Sequence, residues 1–498
     1  MKPALTDADL AQIAARGIPR EEIERQLALF ADPPAKMRLD RPCTLGDGIE
    51  SLDPGRHEAW TRLAEEAAAS GRVTVFLPAS GAATRMFASL LAWLTEHELP
   101  AQEELERRAA AGDVAAGDLA RLWRELEAFA FHDALREHFA RRGDDLDSAR
   151  RAGRREAILA ALLAQEGLRL PELPKALVPF HRVEGVARTA LEEQFAEAEL
   201  YARDARGRTR VHVTIAPDFA ERCLALAENV ELSVSHQSPA TDTIAARRGG
   251  EPFRRADGSL LFRPGGHGAL LANLAALAPD LTAIKNIDNI LPPSGRALAV
   301  RWKKLLLGRL LEIRSEIDRA LDGLERGATG AGVDAQRLLR DVLGVDPPAD
   351  NAAVAGRLDR PLRVCGMVRN TGEPGGGPFW VSRGGELSRQ IVEGSQVDHG
   401  DPAQEAIWAS ATHFNPVDIA AALRDRRGRP YDLARYVDRD AVFIAEKTHG
   451  GEPLRALELP GLWNGAMAGW NTVFVEVPAA AFAPVKTVFD LLRPEHRA

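Results

Sequence analysis

Three cysteines in 498 residues, Cys43, Cys223 and Cys365, are few, odd in number and far apart. They make no disulfide framework, and no Cys-x-x-Cys pair offers a structural zinc site. A reducing, cytoplasmic setting is the expectation. No run approaches the roughly 20 apolar residues that a membrane-spanning helix needs, so no membrane partner is expected. The opening stretch Met1–Pro19 has acidic residues and no long apolar core, so it does not read as a signal peptide. A basic surplus is missing too: 64 Lys and Arg face 72 Asp and Glu, a net charge of −8. That balance gives no support to a general nucleic-acid binder, although it leaves room for a local basic cleft. Several catalytic signatures are also absent. There is no Gly-Lys-Ser/Thr of a P-loop, and a nucleophile elbow around Ser80 fails at Pro78 and Ala82. A dinucleotide fingerprint begun at Gly266-His267-Gly268 fails at Leu271. His181, His212, His236, His399, His413 and His449 form no His-Glu-x-x-His or other close ligand cluster, which leaves them as structural or surface residues. No internal repeat or long low-complexity tract stands out, and nothing in the sequence speaks to oligomeric state.

What is present is a long chain with 45% hydrophobic residues, enough for globular burial and for two or three domains. Residues 6–31 read as two short helices, with Thr6 capping the first and Gly17-Ile18-Pro19 breaking before the second. Another helix covers 55–70. Val73-Thr74-Val75-Phe76-Leu77 is a short apolar run suited to a buried strand. From Ala101 to Leu170 there is no proline, and Ala, Leu, Glu and Arg dominate, as in a set of amphipathic helices. Strand character returns at 211–215, 230–234 and 282–284, and helices are expected over 218–228, 269–277 and 294–325. Looser, Pro/Gly/Asp-rich stretches place a boundary near 327–355. The expected organisation is an N-terminal helical region (1–70), an α/β core (71–340) with a helical insertion at about 87–170, and a C-terminal α/β portion (355–498). The aromatic stretch Trp463, Trp470, Phe474 and Phe482 reads as core.

Five short motifs carry the chemistry. Ser80-Gly81-Ala82-Ala83-Thr84-Arg85 follows the first strand and opens a helix. Small residues there let backbone N–H groups approach phosphate, with Arg85 adding a cation. Leu173-Pro174-Lys175 supplies a second cation. In Pro264-Gly265-Gly266-His267-Gly268 the glycines permit close backbone approach and His267 can donate a hydrogen bond. Asn286-Ile287-Asp288-Asn289 follows a strand, so Asp288 sits at the carboxyl edge of a sheet. There it can hold Mg²⁺ against phosphates or orient a sugar phosphate. Pro484-Val485-Lys486 brings a third cation. Upstream, Gln237 of Ser235-His236-Gln237-Ser238-Pro239 offers both an amide donor and an acceptor.

In this order the motifs resemble those of UDP-sugar pyrophosphorylases, the UTP-dependent sugar-1-phosphate uridylyltransferases. The family's Gly-Gly-x-Gly-Thr-Arg-Leu appears here as Ser80–Met86, with only the central glycine kept. Phe482–Leu492 resembles Phe-x-Pro-Val-Lys-x-x-x-Asp-Leu-Leu, and Gln390–Gln396 resembles a family strand. Closer likeness, carried by Phe76–Met86, Arg263–Gly268, Ile284–Asn289 and Leu462–Met467, is to a bacterial family labelled DUF4301, a label that implies no activity. The resemblance to the uridylyltransferases implies a nucleotide-diphospho-sugar transferase-like α/β fold: a mixed, mainly parallel sheet with a helical insertion and a C-terminal lid or cap. It implies an NTP, UTP by preference, and a sugar 1-phosphate as partners, with Mg²⁺ as cofactor. Arg85, Lys175, Asp288 and Lys486 would be catalytic, and Asp288 would anchor the metal. Ser80, Gly81, Ala82, Ala83, Thr84, Gln237, Gly265, Gly266 and His267 would hold the nucleotide, with Gln237 and the glycine turn beside uracil. Asn286, Asn289 and Asn415 would lie on the sugar-phosphate side. The eroded cradle keeps two alternatives open: a nucleotide or nucleotide-sugar binding protein without turnover, and a glycosyltransferase using a nucleotide-sugar donor.

Overall fold

The structure, a computed structural model, describes residues 5–96, 98–372 and 375–497. Glu373 and Pro374, in the glycine-rich run 372–377 that the sequence reads as a loop, lie outside them.

Apolar runs form the sheet that organises the molecule. Val73, Val75, Phe76 and Leu77 are each at most 1% exposed, so the Val73–Pro78 strand is buried on both faces, as its composition requires. It lies between Leu281–Lys285 and Arg210–Thr214, and Glu231–Ser235 follows at that edge. On the other side the order continues through Asp418–Ala422, Leu362–Arg369, Asn471–Glu476, Gly48–Glu50 and Thr44–Leu45. All these strands run one way except Asp418–Ala422, which is antiparallel to both of its neighbours. The fold is therefore mixed α/β with a mainly parallel sheet. Strands from both sides of the 327–355 segment share that sheet.

The 33-residue helix Pro293–Glu325 packs across the sheet through Leu305, Leu306, Leu307, Leu310, Ile313 and Ile317. Helix His57–Ala69 crosses it closely: a Cβ at Gly308 would lie 2.1 Å from the Trp60 carbonyl oxygen, so only glycine fits. The proline-free stretch folds into the helices Gln102–Ala110, Val114–Glu125, His132–Arg141, Leu146–Arg151 and Arg155–Leu163. Their apolar faces, with Leu105, Leu119, Leu122, Leu135 and Leu159, join the main core. Thr6 caps the first N-terminal helix through a capping box with Asp9, as expected. Of the aromatic stretch, Trp470 and Phe474 are core, while Trp463 is only partly buried.

Two local expectations change. The 327–355 stretch keeps a loop at 342–350, as expected, but also holds two helices. Gly330 takes a left-handed φ of 80° before helix Ala331–Asp341, and Asp350 caps Asn351–Leu358 by accepting from the Ala353 N–H. From Ala83, within the cradle, the chain makes a 3₁₀ turn, Ala83–Phe87, and then a four-residue α-helix, Ala88–Leu91. Ala82 at the N-cap has no side-chain acceptor to start a regular helix. Among the described residues no helix is long and apolar enough to cross a membrane.

Candidate functional site

Eight of the sheet's ten strands run the same way, so their carboxyl ends share one edge, where loops of α/β proteins can converge without breaking the core. The segment Ser80–Arg85 leaves this edge after Val73–Pro78, Gln237 after Glu231–Ser235, Asn286–Asn289 after Leu281–Lys285, and Pro484–Lys486 after Asn471–Glu476.

Backbone pairing stitches four of the five motifs into two pairs. Returning from the helical insertion, Pro174 bridges Ala82; the Lys175 N–H donates to the Gly81 carbonyl at 3.3 Å and the Ala83 N–H to that of Leu173 at 2.8 Å. Asn289 bridges Pro484, the Val485 N–H donates to the Asp288 carbonyl at 3.0 Å, and the Ala483 N–H donates to Asn289 Oδ1 at 3.1 Å.

The side chains meet where these stitches cross. Lys175 Nζ lies 2.8 Å from Asp288 Oδ2 and 2.9 Å from the Val485 carbonyl oxygen. Lys486 Nζ reaches the same carboxylate oxygen at 3.3 Å. Lys175 and Asp288 are largely buried, whereas 42% of the Lys486 side chain is exposed. Burial alone would raise the Asp288 pKa, but Lys486 and then Lys175 outweigh it and hold the carboxyl below its ordinary value. The other oxygen, Asp288 Oδ1, is buried with no hydrogen-bond partner. Two ammonium groups against one carboxylate leave a net positive centre, suited to phosphate. Asp490, a residue of the Phe482–Leu492 string, accepts from the Lys486 and Thr487 N–H groups at 2.8 and 2.7 Å and so fixes the turn that presents Lys486.

The remaining cradle residues are placed differently. Ser80, Gly81, Ala82, Thr84 and Arg85 are all exposed, and Arg85 makes no ion pair among the described residues. A Cβ at Gly81 would meet nothing within 4 Å, so the chain is open there. Ala83 is fully buried with its N–H committed to Leu173, and the Thr84 hydroxyl donates to the Pro171 carbonyl at 3.1 Å.

A second cluster forms around the glycine turn. Gly265 packs against the Thr241 carbonyl, at the end of the loop that carries Gln237, and Gly266 takes a φ of 75°. A Cβ at Gly268 would lie 2.1 Å from the Pro460 carbonyl oxygen. The Leu462 N–H donates to His267 Nδ1 at 3.1 Å, which leaves Nε2 as the protonated donor nitrogen of the neutral ring. The protein enclosing the ring lowers its pKa to about 4, so it is neutral near pH 7. Trp463 stacks obliquely at 4.3 Å between centroids, and Glu393 Oε1 is 4.0 Å from Nε2. Burial, then the nearby Glu458, push the Glu393 carboxyl up. Gln237 Nε2 is buried without a partner, while Asn273 anchors its loop through Ser235 Oγ and the His236 carbonyl. Among the described residues no hydrogen bond or ion pair joins this cluster to the lysine–aspartate centre.

The asparagines act on backbone. Asn289 is 2% exposed and spends its carboxamide oxygen on Ala483. Asn415 Oδ1 accepts from the Val417 N–H at 3.1 Å, and the Val417 carbonyl accepts from the Asn286 N–H at 3.3 Å. Asp490, Trp463 and Glu393 lie within motifs that the sequence singles out, but the sequence assigns them no role. Among the described residues no group of three or more His, Cys, Asp or Glu could hold a metal. Asp288 Oδ1 is the acceptor at this centre that a hard cation could use, and Mg²⁺ commonly binds through one or two carboxylates with phosphates and water completing its shell.

A mainly parallel α/β sheet with a cationic centre and a glycine turn on its carboxyl side defines the class of this protein. The chain belongs to the family described as Domain of unknown function (DUF4301), whose model matches residues 6–497. A comparison with curated protein sequences finds no match. Solved structures similar to it include a mutant of UDP-glucose pyrophosphorylase from Leishmania major in complex with UDP-glucose, at 13% identity and a TM-score of 0.44, covering 98% of this chain and 79% of that one. Another is uridine diphosphate N-acetylglucosamine pyrophosphorylase from Trypanosoma brucei in complex with an inhibitor, at 12% identity and a TM-score of 0.45, with the same coverage.

Proposed function

We propose that this chain is a nucleotidyltransferase that converts an NTP, UTP by preference, and a sugar 1-phosphate to an NDP-sugar and pyrophosphate. The observation that carries the reading is the meeting of Lys175, Asp288 and Lys486 from segments 113 and 198 residues apart. Such convergence of charge needs an anionic ligand to be useful, and the open backbone at Gly81 leads up to it. In the reaction a sugar-phosphate oxygen attacks the α-phosphorus in line, the bond to the β-phosphate oxygen breaks, and pyrophosphate leaves with that electron pair. No covalent enzyme intermediate is needed, so the protein's work is alignment and charge neutralisation. Lys175 and Lys486 would turn from Asp288 Oδ2 toward phosphate oxygens, with Arg85 at the mouth of the cradle. Asp288 Oδ1 would anchor Mg²⁺, which supplies further neutralisation of phosphate charge when bound. The His267 Nε2–H and the unpaired Gln237 Nε2 would be the donors that read a base or ribose.

One observation favours a second reading, nucleotide binding without turnover: the Ala83 N–H is spent on Leu173, which shrinks the cradle. The test is pyrophosphate release from Mg²⁺, a panel of NTPs and a panel of sugar 1-phosphates. Release that needs both substrates supports the transferase. Nucleotide binding without release supports the second reading, and release of an NDP from a nucleotide-sugar donor that depends on a sugar acceptor, with no pyrophosphate added, marks a glycosyltransferase.

A further inference from the structure

Helix Ala190–Ala202 turns three polar side chains into the protein: Glu193, Gln194 and Glu197 are each at most 2% exposed. Burying such groups is costly unless they are paired, and here each pairs with the region around Asp288. Glu197 forms an ion pair with Lys285, just before the Asn286–Asn289 loop, and Glu193 with Arg296, just after it. Between them Gln194 Nε2 donates to the carbonyls of Asn286 and Asn289, both at 3.1 Å, and lies 3.4 Å from that of Ile287. One amide group thus spans the loop that holds Asp288. At its start the helix is tied to the Lys175 element, because the Ala190 N–H donates to the Val178 carbonyl at 3.2 Å.

We infer that Gln194 is a positioning residue, resting on the transferase reading above: it sets the loop so that Asp288 meets Lys175 and Lys486. An apolar side chain of equal length would fill the same space but take this donor from the Ile287 and Asn289 carbonyls and leave the Asn286 carbonyl only the Asn289 N–H, at 3.2 Å. The loop would then relax, and small displacements of an aligned group are expensive, about 10- to 100-fold in rate for shifts near an ångström.

Two variants test this. Gln194→Met should lower kcat by about 10- to 100-fold while KM for the NTP changes little. Amide hydrogen exchange should rise in 286–290 but not in the Leu281–Lys285 strand. Gln194→Glu places a carboxylate against carbonyls, and once protonated it can donate one hydrogen bond. Its turnover relative to the unsubstituted chain should climb as pH falls from about 8 to about 6, whereas the methionine variant's ratio stays flat. Unchanged kcat and unchanged loop exchange in both variants would overturn the inference. If the unsubstituted chain releases no pyrophosphate with any substrate pair, the transferase reading fails on its own. Loop exchange then decides: a rise in Gln194→Met upholds the clamp, and no rise overturns it.

Discussion

Lys486 Nζ stands 3.3 Å from Asp288 Oδ2 across 198 residues of sequence. Its exposed ammonium can leave that oxygen for an arriving phosphate at little cost, since partly solvated ion pairs are weak. Lys486→Ala should therefore slow turnover by about 10-fold or more, with a smaller effect on NTP affinity, because a contact that strengthens in the transition state lowers the barrier. Steady-state kinetics and equilibrium binding together check it. Equal kcat in the variant would remove Lys486 from the site.

Asp288→Asn keeps the shape but removes the charge that Lys175 and Lys486 share. Turnover should fall about 100-fold or more, since the proposed metal anchor is lost. Stability should drop as well, because a largely buried Lys175 is left without its counter-charge. The sign with pH follows from the depressed carboxyl: its contribution is present above the ordinary value of 3.8 and is lost as pH falls through the lower folded value. Urea denaturation near neutral pH, with circular dichroism to confirm the fold, measures the difference.

His496 is 5% exposed, and its Nδ1 lies 2.9 Å from His181 Nε2. Burial, then the neighbouring His181, lower its pKa to about 4. The unfolded chain therefore binds a proton more readily than the folded one. Stability should be full above the ordinary value of 6.5 and decline as pH falls toward 4, by about 2–3 kcal/mol from this group. His496→Gln should flatten that slope. Thermal midpoints that are level from neutral to mildly acid pH in the unsubstituted chain would contradict the assignment.

Mg²⁺ with UTP should raise the melting temperature, because a ligand that prefers the native state stabilises it by about 2.7 kcal/mol at 100 times its Kd. UTP should shift it more than GTP if Gln237 and the glycine turn face the base. No shift with any NTP across a millimolar titration would count heavily against the cradle.

Much of the fold was legible because its signals are local. Val73–Leu77 and Leu281–Lys285 are dense apolar runs, and the proline-free stretch is helical by composition. The caps were harder: Gly330 and Asp350 look like loop residues until the helices they bound are seen. At the cradle, small residues announced a turn but not a 3₁₀ turn, which depends on the pairing of Ala82 and Ala83 with 173–174. Gln194 stayed hidden because a glutamine on a charged helix reads as solvated, and only tertiary contact reveals its face as the buried one. Lys486 was found through its motif; that it touches Asp288 could come only from the folded chain.

The strand order has a consequence for biosynthesis. Asn471–Glu476 is the strand that separates Gly48–Glu50 from Leu362–Arg369. Gly48–Glu50, beside Thr44–Leu45, must therefore wait for the strand that joins it to the rest of the sheet, made some 420 residues later, roughly 20–80 s at ordinary elongation rates. Such distant parallel pairing folds slowly and leaves edges open meanwhile. Lys486 follows the end of that last strand by ten residues, so sheet closure and assembly of the lysine–aspartate centre fall close together in synthesis. A nascent chain stalled before this point would hold neither a complete sheet nor a charged site, and would be a natural client for a chaperone.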